Sequence, residues 1–386
     1  MSVDVRPITH GPAFHWFGYY DKLQFDPSNR FVLCMEVDFE GRSPTVDDRI
    51  RIGMIDRQAG DKWTHLGETG AWCWQQGCML QWIPGSDSEI VYNDRDGSGF
   101  RAQIVNVETG AARSIPHPVY ALSPDGKTAV SLDFARTGRL RPGYGYAGTD
   151  AGEGQCAPAD QGIYRVDLQT GEAERIITLA QIAALRGEGE AYLDKEQWVN
   201  HLLVSPDGTR FVFLHRWTDP GKTMIRGTRM FTAGLDGSDI RLLHDGGSFS
   251  HFIWRDPQHI LAWAGTPKPR QAYYLIDEKT GEWEVVGRDA MTLDGHCTVL
   301  PGGEWIVNDA YAVNGDRTRK PLYLYHPATD RRIDIAVLHS PAEYVGEWRC
   351  DLHPRHSRDG AVLTIDSTHE GNGRQLYLLD IRPCLA

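Results

Sequence analysis

The chain has 386 residues, 41% of them apolar, with 12 Trp and 15 Tyr; this is ample for a large core, excludes a mainly disordered chain, and suits β-structure with an aromatic-lined surface. Its 52 acidic residues exceed the 40 basic ones and leave a formal charge of −12, which argues against nucleic acid as the main partner because no net positive field draws in phosphates. No stretch is long enough to cross a bilayer, and residues 1–10 lack a cationic segment followed by an apolar run, so no membrane partner is expected and a cytoplasmic location is.

From the N-terminus onward, a polar turn running straight into an apolar strand occurs seven times. The turns are Asp26-Pro27-Ser28-Asn29, Pro84-Gly85-Ser86-Asp87, Ser123-Pro124-Asp125-Gly126, Ser205-Pro206-Asp207-Gly208, Arg255-Asp256-Pro257-Gln258, Pro301-Gly302-Gly303 and Ser357-Arg358-Asp359-Gly360. The strands behind them begin at Phe31, Glu89, Thr128, Arg210, His259, Glu304 and Ala361. Each unit continues into a third strand and a shorter fourth, such as Ala112 to Ile115 or Trp283 to Val286. Units of about 40 to 55 residues with four antiparallel strands predict propeller blades. The expected fold is an all-β, seven-bladed β-propeller filling 1–386 as a single domain, with blades near 15–66, 72–116, 117–178, 198–245, 249–288, 293–335 and 347–384. Residues 4–9 have no partner ahead of the first blade, and the last unit ends without an outer strand, so the N-terminal strand is expected to close the ring.

Two segments depart from the repeat. Between Thr137 and Gln161, blade three carries a Gly-rich insertion containing Arg139, Arg141, Tyr144 and Tyr146, long enough to fold over a rim. From Ile176 to Ala191, helical spacing of Ile177, Leu179, Ile182 and Leu185 predicts a short helix. The seven cysteines are odd in number and irregularly spaced, so neither a disulfide framework nor a thiolate zinc site is expected.

In a propeller the first strand of each blade lines the channel and the second returns to the face where the first began. Residues early in strand one and late in strand two therefore gather at one mouth. The first set holds Tyr19, Tyr20, Asp21, Gln76, His117, His201, His251, His296, Asp351 and His353; the second holds Asp38, Asp94, Asp133, His215, Arg216, Asp309 and Asp366. Four histidines, His201, His251, His296 and His353, recur in successive blades four or five residues ahead of the turn, which points to a catalytic or metal site. Imidazole with carboxylate suits a divalent first-row cation such as Mn²⁺, Zn²⁺, Fe²⁺ or Ni²⁺, with His296, Asp351 and His353 as candidate ligands. Asp351 and His353 are two apart, so a strand would turn both side chains the same way. Among the residues ending strand two of blade four, His215 and Arg216, the arginine could hold a substrate carboxylate while His251 or His201 accepts a proton.

The opening His15 to Asp21 with Phe25-Asp26-Pro27 and Val37-Asp38-Phe39-Glu40-Gly41 resembles that of the oligogalacturonate lyases. So do Asn200-His201 with Ser205-Pro206-Asp207-Gly208 and His215-Arg216, the pairs Ser250-His251 and Gly295-His296, and the closing His353-Pro354 with Asp366-Ser367. The resemblance, on TolB-like repeats, implies a seven-bladed propeller that binds Mn²⁺ near the channel mouth and cleaves uronate-containing oligosaccharides by β-elimination. It implies metal histidines at His296 and His353, a base at His251 and a carboxylate-binding arginine at Arg216. One position departs: where the family has Gln-x-x-His-x-His, this chain has Trp348-Arg349-Cys350-Asp351-Leu352-His353, so an acid replaces a histidine and another uronate linkage is expected. Tyr19, Tyr20 or Tyr146 is expected to protonate the leaving oxygen or stack on sugar, with Gln76 beside them and Arg139 and Arg141 clamping further carboxylates. A hydrolase or epimerase in the same channel, or a non-catalytic binding propeller, is the alternative.

Overall fold

The structure is a computed structural model that describes residues 3–97, 99–185, 192–245, 247–265 and 271–385. Seven four-stranded antiparallel sheets form a seven-bladed propeller, six of them meanders in chain order. Six blades are continuous stretches of chain, running from Phe14–Trp16 to Lys62–Thr69 in blade one and from Thr298–Val299 to Arg331–His339 in blade six. The seventh is composite. Its strands Arg355–His356, Val362–Ser367 and Gln375–Asp380 are completed by Arg6–Pro7, with Arg6 opposite Leu378 and Pro7 opposite Tyr377. Pro7 is tolerated there because an outermost strand needs no further ladder donor.

The turns carry the chemistry that makes them recur. In Ser123, Ser205 and Ser357 the hydroxyl donates to the aspartate two residues on and accepts the backbone N–H five residues on, at 3.0 Å each time. The glycine closing each turn has φ between 68° and 72°, a region closed to side chains with a Cβ at little cost. At Gly126 there is also no space: a Cβ would lie 2.2 Å from the Pro84 carbonyl oxygen of the preceding blade's turn.

The apolar cores lie between blades. One links Trp16, Leu33 and Ile52 of blade one to Trp82 and Ile90 of blade two, another joins Val212 and Leu214 of blade four to Ile260 and Ala262 of blade five, and a third joins Leu322 and Leu324 of blade six to Leu363 and Ile365 of blade seven. With apolar burial completed between neighbours, the channel is left to polar side chains.

The insertion of blade three opens with a helix, α1 (Phe134–Leu140), and then crosses the mouth. Gln75 of blade two donates its backbone N–H to the Gly143 carbonyl at 3.1 Å, while its side chain reaches the carbonyls of Glu347 and Arg349 ahead of blade seven. The expected second helix is α2 (Leu179–Ala184), started by a capping box of Thr178 and Gln181; Ile177 belongs to the preceding strand, and the remainder of that expected helix, 186–191, lies outside the described residues. All seven cysteines are free thiols, and no described helix is long and apolar enough to cross a membrane.

Candidate active site

The four histidines stand where the inner strands lose their ladder. In blade four the register slips between Asn200 and Leu203, and His201 takes φ of 51°; in blade five it slips between Phe249 and Phe252, around His251. Such bulges re-aim a side chain. His296 precedes the two-residue strand Thr298–Val299, and His353 precedes Arg355–His356 with φ of 43°. Residues 351–354 are therefore not a strand, and alternation is not what brings Asp351 and His353 together: a left-handed bend at His353 does, anchored by its backbone N–H on Asp309.

The imidazoles of His251 and His296 lie 4.1 Å apart between ring centres, as do those of His296 and His353. One donor atom each from His296, Asp351 and His353 falls within 4.8 Å of the others, all buried. His296 is oriented from behind, with Nδ1 3.0 Å from both oxygens of Asp309, which leaves Nε2 as the donor facing the site. His353 Nε2 and Asp351 Oδ1 are buried and make no hydrogen bond, which is the condition a bound cation would relieve. Burial, then the positive groups around it, holds the His353 pKa well below 6.5, so its imidazole is neutral and competent to ligate. For Asp351 burial alone would raise the pKa, but Arg349 at 2.6 Å, His296 and Lys320 at 3.5 Å hold it well below the usual carboxylate range. Two imidazoles and a carboxylate suit a divalent first-row metal.

His251 is built differently. Its Nδ1 lies 2.9 Å from Asp294 and 3.0 Å from the Ser250 hydroxyl, and its Nε2 faces inward. Burial lowers its pKa, and the neighbouring His296 adds to the shift against the opposing pull of Asp294. The result is a neutral imidazole with a basic nitrogen free to act. The hydroxyl of Tyr311 stands 3.4 Å from His251 Nε2 and 3.3 Å from His296 Nε2, spanning the two.

Arg216 reaches the same mouth. It donates to the Phe249 carbonyl at 3.0 Å, its Nε is buried without a hydrogen bond, and among the described residues it has no carboxylate partner. Burial, followed by repulsion from Arg141, brings its pKa down to about 10. Tyr19, Tyr20 and Tyr144 form a buried aromatic cluster beside it. Tyr20 is committed to structure, since its hydroxyl both donates to the Phe252 carbonyl and accepts the Phe252 N–H. Tyr19 packs against His201, His296 and His353, and burial raises its pKa well above 10, so it carries its proton.

Below these groups lies a buried polar floor. Asp21 is 3.1 Å from the Lys22 ammonium and 3.4 Å from His201 Nε2, Lys22 sits over the Tyr120 ring, and Gln76 donates to the Tyr120 hydroxyl at 2.8 Å. His201 stacks on Phe252 at 3.9 Å, and burial brings its pKa down to about 4. Its Nε2 faces Asp21.

Other expected residues are placed elsewhere. His215 is adjacent to Arg216 on one strand, so the two point to opposite faces and only Arg216 meets the mouth; His215 is held between Gln197 and Arg229 inside blade four. Arg139 is spent on Asp150 and Glu196, and Tyr146 stacks on Phe134 at 4.3 Å with its hydroxyl held by Asn93. His117 packs on Tyr164. Among the second-strand aspartates, Asp94 and Asp366 accept backbone N–H groups of Gly70, Phe17 and Gly18, and Asp38 pairs with Arg51. Sequence reasoning passed over Lys22, Tyr144, Asp294, Tyr311, Lys320 and Arg349. Tyr311 and Lys320 had a signal: the end of a second strand and the start of a third lie at the same mouth as the start of a first.

No protein-family profile matches the chain, and no curated protein matches it. Solved structures do. An oligogalacturonate lyase from Vibrio parahaemolyticus aligns over 100% of this chain and 99% of its own at 15% identity, with a TM-score of 0.70. An oligogalacturonate lyase in complex with manganese aligns over 98% and 96% at 16% identity, with a TM-score of 0.68. The tricorn protease aligns over 99% of this chain but 34% of its own at 12% identity, with a TM-score of 0.54. These likenesses are of fold, and the first two extend over both chains end to end.

Proposed function

We propose that this protein is a metal-assisted lyase that cleaves a uronic-acid-containing oligosaccharide by β-elimination and leaves a 4,5-unsaturated uronate. The observation that carries the reading is a neutral His251, its Nδ1 held by Asp294, set beside the donor triad His296, Asp351 and His353 and sharing the mouth with the acid-free Arg216. The manganese complex of the similar lyase makes Mn²⁺ the first metal to test, with Zn²⁺ next.

The acidic sugar enters with its carboxylate toward Arg216, which has no carboxylate partner to release among the described residues. A divalent cation bound by His296, Asp351 and His353 would draw electron density from that carboxylate and so acidify the C5 hydrogen. His251 Nε2 takes the C5 proton; the C5–H electron pair becomes the C4=C5 double bond, and the C4–O bond breaks with its pair on oxygen. Tyr19, kept protonated by burial, supplies the proton to the departing oxygen. Asp294 keeps the imidazole in the right tautomer and stabilises the imidazolium.

The test is product analysis by NMR on a panel of acidic oligosaccharides supplied with Mn²⁺. An unsaturated C4=C5 product, absent with His251→Ala, is expected. Saturated or inverted sugars would replace this reading with a hydrolase or an epimerase, and unchanged biological activity in His251→Ala and His296→Ala would replace it with a binding propeller.

A further inference from the structure

The two oxygens of Asp351 are served by cations of different build. Oδ2 accepts from the Nε of Arg349 at 2.6 Å, and that guanidinium is fixed by two further bonds, to the Gly346 carbonyl at 3.0 Å and the Tyr144 hydroxyl at 2.6 Å. Oδ1 is buried and accepts no hydrogen bond, yet a second cation faces it: the ammonium of Lys320, at the start of the blade-six strand Arg319–His326, lies 3.5 Å away. Among the described residues Asp351 is the one carboxylate within ion-pair reach of Lys320. The other contact of the ammonium is the Tyr311 ring, whose centre is 5.2 Å from Nζ. Lys320 is thus buried and held by charge, with no hydrogen bond among the described residues, whereas Arg349 is held by three.

That difference decides which cation can yield. Arg349 cannot leave Asp351 without breaking its other bonds, while an ammonium is a point charge on a flexible four-carbon stem and can swing aside. Since Oδ2 is spent on Arg349, Oδ1 is the oxygen that Asp351 has left for the donor triad with His296 and His353. Ammonium and dication cannot share one buried oxygen, because like charges at that distance repel and burial keeps out the water that would screen them. The seat of Lys320 also borders a second donor atom: the hydroxyl of Tyr311, whose ring carries the ammonium, is 3.3 Å from His296 Nε2.

We infer that Lys320 is a positioning residue that acts as the resident counter-ion of Asp351 Oδ1 and competes with a divalent cation for it, so that metal binding requires the ammonium to swing off that oxygen and the metal is held reversibly. With the ammonium in place Asp351 stays paired in the buried mouth, and with the dication in place it is a ligand. The inference rests on the metal-binding part of the proposed function and names the residue that sets the affinity.

Its test titrates the full chain with Mn²⁺ alone, read by the paramagnetic resonance of the free ion. Lys320→Met, which keeps an apolar stem and removes the charge, is expected to bind Mn²⁺ about tenfold to a hundredfold tighter than the parent, the size of effect that groups around metal ligands exert. Lys320→Arg keeps the charge and is expected to bind no tighter than the parent. A merely structural lysine would move the affinity the other way, since a disturbed Asp351 weakens the site. By linkage, the rise in thermal midpoint at a fixed Mn²⁺ concentration should be larger in Lys320→Met than in the parent. Lys320→Gln gives the same two readings should the methionine variant not fold. Equal or weaker binding by the uncharged variants, with circular dichroism unchanged, would overturn the inference and leave the lyase reading standing. Binding by Lys320→Met and not by the parent would support the competition and overturn the metal-assisted reading; binding by neither would overturn both.

Discussion

The two ends of the propeller channel are built from the same strands and obey opposite rules. At the turn end, Ser205 and Asp207 satisfy each other and the backbone N–H groups that follow them, as do Ser123 with Asp125 and Ser357 with Asp359. At the mouth, His353 Nε2, both nitrogens of His201 and Asp351 Oδ1, eight residues earlier or fewer on the same inner segments, are buried with no hydrogen bond, as is the Nε of Arg216 at the end of a second strand. Native proteins seldom leave such groups unpaired. The contrast teaches where to look: local turn chemistry is complete in itself, whereas the mouth is complete only with something added.

The contrast breaks most sharply at His251. Replacing it with Ala should lower the elimination rate by about 10²- to 10⁴-fold, the usual worth of a positioned base, with circular dichroism and thermal midpoint showing the fold intact. A loss of less than tenfold would move the base elsewhere in the mouth.

The buried imidazoles should also make the mouth acid-sensitive. His201, with a pKa near 4 when folded and 6.5 when unfolded, binds its proton only in the unfolded chain between those values. Its contribution is present above pH 6.5 and is lost as pH falls toward about 4, up to about 3 kcal/mol for this group by linkage. Denaturant titrations at pH 7, 5.5 and 4.5 should show that decline, and His201→Gln should make it shallower.

Asp309 separates metal holding from catalysis. It touches His296 Nδ1 and not the inward face, so Asp309→Asn is expected to weaken Mn²⁺ binding by about 10- to 100-fold, read by paramagnetic resonance titration. The smallest effect belongs to the turn end. Asp207→Ala removes the acceptor for Ser205 and Thr209 and should cost about 1 to 2 kcal/mol of stability with elimination unchanged, measured by thermal unfolding and rate on the same sample.

The same contrast explains what could be read from the residues alone. Turn chemistry is local, so Ser-Pro-Asp-Gly and its variants reveal blade after blade, and the fixed distance from turn to mouth brings His251, His296 and His353 into one register. The partner of Arg6–Pro7 followed from an unpaired end. What stayed hidden depends on contacts between distant segments. Arg349 and Lys320 matter because Asp351 is near them, and Tyr144, rather than Tyr146, faces the mouth because α1 and the pinning of Gly143 rotate the insertion. His215 was misplaced by treating the end of a strand as one site, although neighbours on a strand face opposite ways.

Growth of ultraviolet absorbance on a panel of uronate oligosaccharides, with Mn²⁺ and again after chelation, tests the central claim most directly. A rise on at least one substrate that chelator abolishes and Mn²⁺ restores is the predicted result. No rise on any acidic oligosaccharide with metal supplied, or a rise indifferent to chelator, would contradict a metal-assisted lyase at this mouth.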